Sequence, residues 1–212
     1  MPQSRYQTIL LFGAPGAGKG TQGRILGTIP GFFHLSCGDV FRSIDINSEI
    51  GQQIYEYSSR GELVPDEITV QLWRQNMHAR VILGDYKPQA DILILDGIPR
   101  SVNQAQLLEP DLEVLKIVHL VCEDRRQMFQ RLRRRALKEN RADDAREDVI
   151  LRRFEVYRRE SEPVINYYPP ERIYNVEASS SPAEVLQHIL EGIVPVQNEH
   201  FRRRRSEAAR SA

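Results

Sequence analysis

Short apolar runs recur along the chain, and they are separated by segments whose apolar residues recur every three or four positions. Runs of four or five apolar residues, bounded by glycine or polar residues, are typical of buried β-strands. Five such runs are present, the last of them weaker than the others, at residues 8–12, 32–35, 92–95, 117–121 and 172–176. The pattern predicts a five-stranded sheet with buried strands.

Most of the segments between these runs have the periodicity of helices. They span residues 21–27, 40–44, 66–80, 103–108, 125–138, 146–168 and 182–193. Strands that alternate with helices predict an α/β fold with a parallel sheet and right-handed crossovers. In such folds the ligand binds outside the carboxyl ends of the strands. The sequence places Gly13, Asp96 and Gly97 at predicted strand ends.

Two segments interrupt the alternation, and the C-terminal residues differ in composition from the rest. Residues 47–66, which include Gly51, Gly61 and Pro65, predict a small inserted helical subdomain, and residues 139–146 predict a short polar turn. After residue 195 the chain becomes polar, with four consecutive arginines at 202–205. We therefore predict one folded domain over residues 1–194 and a disordered, basic tail over residues 195–212.

The composition is that of a globular protein, with 41% hydrophobic and 27% charged residues among 212. No run approaches the ~20 apolar residues of a membrane-spanning helix, and no secretory leader is recognisable, so we expect neither a membrane protein nor a secreted one. Two cysteines, Cys37 and Cys122, cannot form a disulfide framework or a four-cysteine zinc site. These features predict a cytoplasmic protein without structural zinc.

The formal net charge of zero conceals a basic segment. Arginine supplies 25 of the 29 basic residues, and residues 125–160 carry a local excess of six positive charges. The planar guanidinium group binds phosphate bidentately and stays charged. One arginine-rich segment in a neutral chain favours a small phosphate-bearing ligand over a nucleic acid. The alternative is an ordinary solvated helix face.

The strongest signal for chemistry is the glycine-rich segment between the first strand and the first helix, where residues 13–21 are GAPGAGKGT. In this context glycines let successive backbone N–H groups surround a phosphate, and the helix N-terminus adds positive potential. Lys19 is expected to reach the β- and γ-phosphates of a nucleotide, and the Thr21 hydroxyl to lie near magnesium. The predicted ATP-binding residues here are Gly16, Ala17, Gly18, Lys19, Gly20 and Thr21.

This segment and four later ones resemble the adenylate kinase family. They are GAPGAGKGTQ at 13–22, HLSCGDVFR at 34–42, GELVPDE at 61–67, DGIPR at 96–100 followed by Gln104 and Ala105, and a set comprising Arg131, Arg135, Arg141, Arg153 and Tyr157. The resemblance extends over roughly residues 6–194. It implies a three-layer α/β fold of the P-loop NTPase type, with a monophosphate-binding insert at 47–66 and a short lid at 139–146.

The resemblance also implies roles for the charged residues. Arg131 and Arg135 would bind ATP, Arg42 and Arg100 the acceptor phosphate, and Arg141 and Arg153 would bridge toward the transferred phosphoryl group. Asp39 and Asp96 would hold the waters around magnesium, with Thr21 beside it. The implied catalytic residues are Lys19, Arg100, Arg131, Arg141 and Arg153. An arginine considered alone is more often the partner of a surface ion pair.

Two residues of the resemblance bear on the identity of the acceptor base. The implied AMP-binding residues are Cys37, Arg42, Leu63, Val64, Gly97, Arg100, Gln104, Arg141 and Arg153. Gln104 matches the family position whose amide recognises adenine, whereas Cys37 stands where adenylate kinases usually have threonine. A UMP/CMP kinase therefore remains an alternative, and a nucleotide-sensing module with weak catalysis is a second one.

The expected reaction is the reversible transfer of the terminal phosphoryl group of Mg-ATP to AMP, which gives two ADP. We expect ATP and AMP as substrates, Mg²⁺ with ATP as the cofactor, no nucleic acid or membrane partner, and a monomer.

Overall fold

The computed structural model describes residues 5–139 and 146–211, with side chains up to residue 206. Its strands are β1 (Tyr6–Gly13), β2 (Phe32–Ser36), β3 (Ile92–Asp96), β4 (Leu112–Val121) and β5 (Ile173–Glu177). Its α-helices are α1 (Lys19–Leu26), α2 (Cys37–Arg42), α3 (Glu49–Ser59), α4 (Asp66–Leu83), α5 (Val102–Leu108), α6 (Arg125–Glu139), α7 (Glu147–Val156) and α8 (Pro182–Ser211). Each apolar run of the sequence lies in a strand.

The five strands form one parallel sheet in the order β2-β3-β1-β4-β5. Asp96 at the end of β3 is in register with Leu11 of β1 and with Ser36 of β2. The carboxyl ends of these three strands therefore meet at one edge of the sheet. The predicted α/β fold with a five-stranded parallel sheet is confirmed.

The sheet is buried on both faces because successive strand residues pack into different clusters. On one face Leu10 and Leu95 pack with Trp73 of α4 and with Leu108 of α5. On the other face Ile9, Leu11 and Ile94 pack with Leu26 of α1 and with Ile189 and Ile193 of α8. This two-sided cover explains why the strands consist of near-continuous apolar runs.

The inserted segment between α2 and α4 is built around α3. Ser48 caps this helix, because its hydroxyl accepts a hydrogen bond from the Gly51 N–H at 3.1 Å. A Cβ atom at Gly51 would clash with the Asp45 carbonyl oxygen, so the turn before α3 requires glycine at this position. The chain then returns through residues 62–65, which have no regular secondary structure, to Asp66, the first residue of α4.

The helix predicted over residues 146–168 is interrupted, which corrects the sequence prediction. Helix α7 ends at Val156, and a π-helical turn (Tyr157–Ser161) and a 3₁₀ helix (Glu162–Tyr167) follow it. Pro163 has no N–H to continue an α-helical ladder. In the π turn, the Ser161 hydroxyl donates to the Arg100 carbonyl oxygen at 2.9 Å. A contact with a distant loop therefore coincides with the break.

The prediction of a disordered tail after residue 195 is wrong. Helix α8 continues through Pro195 to Ser211. His200 is 6% exposed, and its Nδ1 lies 2.6 Å from the Gln7 Oε1. The Gln197 amide donates to the Pro30 carbonyl oxygen at 3.0 Å. The signal that could have revealed this helix is the spacing of the inward-facing residues Val185, Ile189, Ile193, Val196 and His200, which recur every three or four positions.

Candidate active site

The glycine-rich segment forms a loop between β1 and α1. Gly16 and Gly18 have φ angles of +83° and +104°, a region that side chains other than glycine rarely adopt. A Cβ atom at Gly16 would lie 2.7 Å from the Met128 carbonyl oxygen, so the loop packs tightly against α6. Gly18 forms the N-cap of α1, so the N-terminus of that helix lies at the end of the loop. This arrangement suits a phosphate group.

Lys19 folds back over this loop. Its Nζ donates to the carbonyl oxygens of Gly13 at 2.7 Å and of Ala14 at 3.2 Å. Burial lowers the pKa of Lys19 from 10.5 to about 8; Asp96 acts against this shift, and the nearby arginines add to it. The ammonium group is therefore less stable in its charged form than in water, and a bound polyphosphate would relieve that cost.

Three arginines from different elements act on the charge of Lys19. They are Arg100 in the loop after β3, Arg135 of α6 and Arg153 of α7, and each lowers the pKa of Lys19. The fold thus brings together cationic residues that are up to 134 positions apart, the separation of Lys19 and Arg153. Such a concentration of positive charge at the carboxyl edge of a parallel sheet is suited to an anionic ligand.

Two carboxylates lie at the same edge. Asp96 is 6% exposed, and its Oδ2 would be 3.6 Å from a Cβ atom at Gly20, which places it over the start of α1. Asp39 lies in the first turn of α2, which Ser36 caps through a 3.3 Å bond from the Asp39 N–H. The Arg42 guanidinium donates to the Asp39 carboxylate. In this conformation Arg42, which was predicted to bind phosphate, is paired with Asp39, which was predicted to hold the waters around magnesium.

The loop after β3 is held by its own hydrogen bonds. The Arg100 Nε donates to the Gly97 carbonyl oxygen at 2.8 Å, and its backbone N–H donates to Gln104 Oε1 at 2.7 Å. Gln104 is 1% exposed, and its Nε2 donates to Asp66 Oδ1 at 2.7 Å. The amide is therefore enclosed and oriented. The sequence motif contained Asp66, but sequence reasoning assigned this residue no role.

Cys37 lies beside this loop in an apolar setting. It is buried, and burial raises the pKa of its thiol to about 12; Arg100 opposes the shift. The thiol is therefore neutral at physiological pH and acts as a small apolar surface next to Gly97. A Cβ atom at Gly97 would be 3.8 Å from the Cys37 Cβ, so the two residues adjoin.

The described residues of this site lie within the part of the chain that a family model matches. A model described as "Adenylate kinase" matches residues 11–173, which include the glycine-rich loop, both carboxylates and the arginines described above. The chain belongs to the adenylate kinase family. The family assigns it to the nucleoside monophosphate kinases, which are phosphotransferases that bind ATP, and it confirms the resemblance drawn from the motifs.

The matches to similar proteins extend over nearly the whole length of those proteins. The adenylate kinase of Corynebacterium urealyticum is 38% identical over 189 residues, which span 86% of this chain and 96% of the relative. Those of Cyanothece sp. and Thermus thermophilus are each 35% identical, over 193 and 190 residues, with 86% of this chain and 94% and 95% of the relatives covered. The family model ends before α8 begins.

The remaining predicted site residues lie on several different elements. Arg131 of α6 is half-buried and donates to the Ala178 carbonyl oxygen at 2.8 Å. Thr21 is exposed on α1, while Leu63 and Val64 lie in the stretch that leads from α3 to α4. Arg141 and the predicted lid turn, apart from its end residues Glu139 and Arg146, lie outside the described residues.

Two carboxylates of this site, Asp39 and Asp96, are candidate ligands for the waters of a magnesium ion. Within residues 5–139 and 146–211, no group of three or more His, Cys, Asp or Glu residues is placed to hold a metal ion. Asp39 and Asp96 are hard oxygen donors, which suit Mg²⁺ through its retained waters. The donor set therefore fits an ion that arrives with the phosphates of a nucleotide.

A second concave surface lies away from this site. It is a shallow groove of about 640 Å³ on the outer side of α8, and its lining includes Leu186, Leu190 and Val194. None of the predicted site residues lines it.

In the part of the chain that the structure describes, no helix is both long and apolar enough to cross a bilayer.

Proposed function

We propose that this chain catalyses the reversible transfer of the terminal phosphoryl group of Mg-ATP to AMP, giving two ADP. The observation that carries the proposal is the convergence of Arg100, Arg135 and Arg153 on Lys19 at the mouth of the glycine-rich loop. Phosphoryl transfer requires alignment and neutralisation of charge more than covalent help from the protein. The family membership supports the same reaction.

On the donor side, the loop from Gly16 to Thr21 holds the ATP phosphates with its N–H groups. Lys19 leaves the carbonyl oxygens of Gly13 and Ala14 and binds the β- and γ-phosphates. Arg131 and Arg135 of α6 neutralise the remaining charge of ATP. Bound Mg²⁺ would supply further charge neutralisation between the phosphates, and Asp39, Asp96 and Thr21 would hold its waters.

On the acceptor side, Arg42 and Arg100 hold the AMP phosphate, and Arg141 and Arg153 reach the group in transit. The attacking oxygen belongs to a phosphate that is already an anion, so no side chain needs to remove a proton. Preorganised positive groups around the transferring phosphoryl group stabilise the charge that develops in the transition state. Arg42 must exchange its carboxylate partner, Asp39, for the AMP phosphate.

Recognition of the base rests on Gln104, with Cys37, Leu63, Val64 and Gly97 forming the adjoining surface. A primary amide supplies both a donor and an acceptor, which matches the Watson–Crick edge of adenine. We also infer a monomer in the cytoplasm that acts on free nucleotides, without a nucleic acid or membrane partner.

A coupled assay with ATP as donor and AMP, UMP, CMP or GMP as acceptor tests the proposal. We expect AMP to have the highest kcat/KM, and Lys19→Met to remove the signal for every acceptor. A higher kcat/KM for UMP or CMP than for AMP would show that the chain acts as a UMP/CMP kinase instead. ATP binding without turnover on any acceptor would instead support a nucleotide-sensing module.

A further inference from the structure

The carboxylate of Asp66 ties the start of α4 to the loop and helix that follow β3. Its Oδ1 accepts from Gln104 Nε2 at 2.7 Å. Its Oδ2 accepts from the Ser101 hydroxyl at 2.8 Å and from Asn103 Nδ2 at 2.9 Å. All three donors belong to the segment that carries the proposed base-recognition amide. We name this group of four residues the Asp66 clasp.

The clasp and the Arg100 backbone together determine which way the Gln104 amide points. The Arg100 N–H, at 2.7 Å, needs an acceptor and so faces Oε1. The Asp66 carboxylate only accepts, so it faces Nε2. Rotating the amide by 180° would put a donor against a donor and an oxygen against a carboxylate. Because the residue is 1% exposed, water cannot compensate for either mismatch.

A fixed amide distinguishes purines by the groups at positions 1 and 6. A primary amide has two N–H groups, and its oxygen accepts two hydrogen bonds, so each end keeps capacity for a ligand. Adenine has an acceptor at N1 and a donor at the 6-amino group. Hypoxanthine has the reverse, a donor at N1 and an acceptor at the 6-oxo group. The two bases require opposite orientations of the same amide.

We propose that Asp66 is a positioning residue that makes the acceptor site select 6-amino over 6-oxo purine monophosphates, by preventing rotation of the Gln104 amide. This inference rests on the proposed function, because it uses Gln104 as the base-recognition residue. Asp66 touches no reacting atom; it acts through Gln104. A site built on polar groups rejects a mismatched partner because its buried groups are left unpaired.

The test compares AMP with IMP as acceptors, since they differ at these two base positions alone. In Asp66→Ala, the amide loses one of the two partners that oppose its rotation, and only the Arg100 N–H still favours the original orientation. We expect the AMP-to-IMP ratio of kcat/KM to fall by about tenfold, which corresponds to ~1.4 kcal/mol. The KM for ATP should stay within a factor of two of wild type. Asp66→Asn keeps the shape of the side chain but tolerates both amide orientations, and it should lower the ratio in the same direction.

A matched control lies further along the same pair of helices, in the middle of α4 and just beyond the end of α5. Arg74 of α4 donates to Asp111 Oδ2 at 2.9 and 2.7 Å and to the Leu107 carbonyl oxygen of α5 at 2.8 Å. Asp111→Asn weakens the packing of α4 on α5 without touching Gln104. It should lower the thermal unfolding temperature, with an unchanged AMP-to-IMP ratio.

A second comparison separates positioning from a general structural effect. In the Gln104→Ala background, replacing Asp66 should change the AMP-to-IMP ratio no further, because the amide on which it acts is gone. The proposal is overturned if Asp66→Ala and Asp66→Asn keep the wild-type ratio, if Asp111→Asn shifts it equally, or if the effect of Asp66 persists without Gln104.

Dissociation constants for AMP and IMP, measured by calorimetry on the same variants, make the result independent of turnover. A wild type that binds AMP more tightly than IMP but transfers no phosphoryl group would refute the proposed function. The ratio of the two constants in Asp66→Ala would still decide the role of Asp66. A wild type that binds AMP and IMP equally would overturn the selectivity proposal while leaving the kinase activity intact.

Discussion

Lys19 is the residue on which the donor site depends, and its surroundings define what replacing it should do. The ammonium group lies on two carbonyl oxygens in a setting that lowers its pKa to about 8. Lys19→Met keeps much of the length of the side chain and removes the charge. We expect kcat to fall by ~10²–10³, equivalent to ~3 kcal/mol, because one preorganised charge is lost from the transition state.

Turnover and circular dichroism of the same Lys19→Met sample provide the measurement. The variant should retain the fold, since the charged lysine is not favoured by burial. A folded variant with more than about a third of wild-type turnover would contradict the assignment of the glycine-rich loop.

The depressed pKa of Lys19 also predicts how ATP binding depends on pH. In the free protein the residue loses its proton as pH rises through about 8, so the positive charge that attracts phosphate declines above that value. The dissociation constant of a nonhydrolysable ATP analogue should rise between pH 7.5 and 9.5. Lys19→Met should remove that rise, because nothing at position 19 then titrates; an equal rise in the variant would assign the effect to another group.

The same pKa shift has a defined effect on stability. Between about pH 8 and 10.5, the unfolded chain holds a proton on Lys19 that the folded chain has released. The unfolded state then binds more protons, so the contribution of Lys19 to the free energy of unfolding increases with pH across this window. Denaturant titrations at pH 7, 9 and 10 measure this. As pH rises, the free energy of unfolding of Lys19→Met should increase less, or decrease more steeply, than that of wild type.

Arg100 and Gln104 adjoin but should be separable by acceptor. Arg100→Ala removes a proposed contact with phosphate, which every monophosphate carries, so kcat/KM should fall by similar factors for AMP, UMP and CMP. Gln104→Ala removes the base-recognition amide and should reduce AMP activity most, narrowing its advantage over pyrimidines. Steady-state kinetics with the three acceptors measures both patterns, and equal losses for all acceptors in Gln104→Ala would exclude base recognition by this residue.

At the scale of elements, the C-terminal half of α8 is part of the folded domain. His200 is buried against Gln7 of β1 and the Ala90 carbonyl oxygen, and Phe201 lies over Gly31. Truncation after Pro195 should therefore expose this part of the core and lower stability by roughly 2–4 kcal/mol. For a domain of this size, that corresponds to a decrease of roughly 4–16 °C in the unfolding temperature.

Differential scanning calorimetry of two truncations tests this role. Ending the chain after Ser206 leaves His200 and Phe201 in place, so it should shift the unfolding temperature far less than ending it after Pro195. Kinase activity at 25 °C should survive both truncations, since no proposed site residue lies in α8. Equal unfolding temperatures for wild type and the variant that ends after Pro195 would show that the residues after 195 do not contribute to the stability of the fold.

At the scale of the whole molecule, the proposed reaction requires the insert and the arginine-bearing helices to approach a common ligand. Arg135 of α6 and Arg153 of α7 both act on Lys19, so a polyphosphate bound at Lys19 would interact with all three cations. Two adenosines joined through a pentaphosphate would occupy both subsites at once. Binding should therefore protect the insert around α3, the glycine-rich loop and the predicted lid turn at 139–146 together.

Hydrogen exchange with and without this bisubstrate mimic measures the coupling. ATP alone serves as the matched ligand, because it fills the donor subsite and should protect the loop with little change in α3. Protection by the mimic that is confined to the glycine-rich loop would contradict closure and support a rigid nucleotide-binding module.

The structural elements were largely predictable because the signals that specify them are local. Apolar runs of strand length, helical spacing and the glycines at 13, 16 and 18 each reflect constraints that act within a few residues of the chain. They located every strand and the phosphate-binding loop, and they indicated that the sheet is parallel; the order of the strands came from the structure. The family motifs then indicated which side chains belong to one site, although Arg141 and most of the lid turn lie outside the described residues.

Tertiary structure alone decided which distant groups pair with one another. The contact of Gln104 with Asp66 joins residues 38 positions apart, and that of His200 with Gln7 joins residues 193 apart. No periodicity within either segment encodes those partners, because a hydrogen bond depends on where two segments meet in space. The docking partners of the last helix were missed for the same reason, although its helical spacing is present in the sequence. The break after Val156 combines a local feature, Pro163, with a distant contact between Ser161 and Arg100 that the sequence does not reveal.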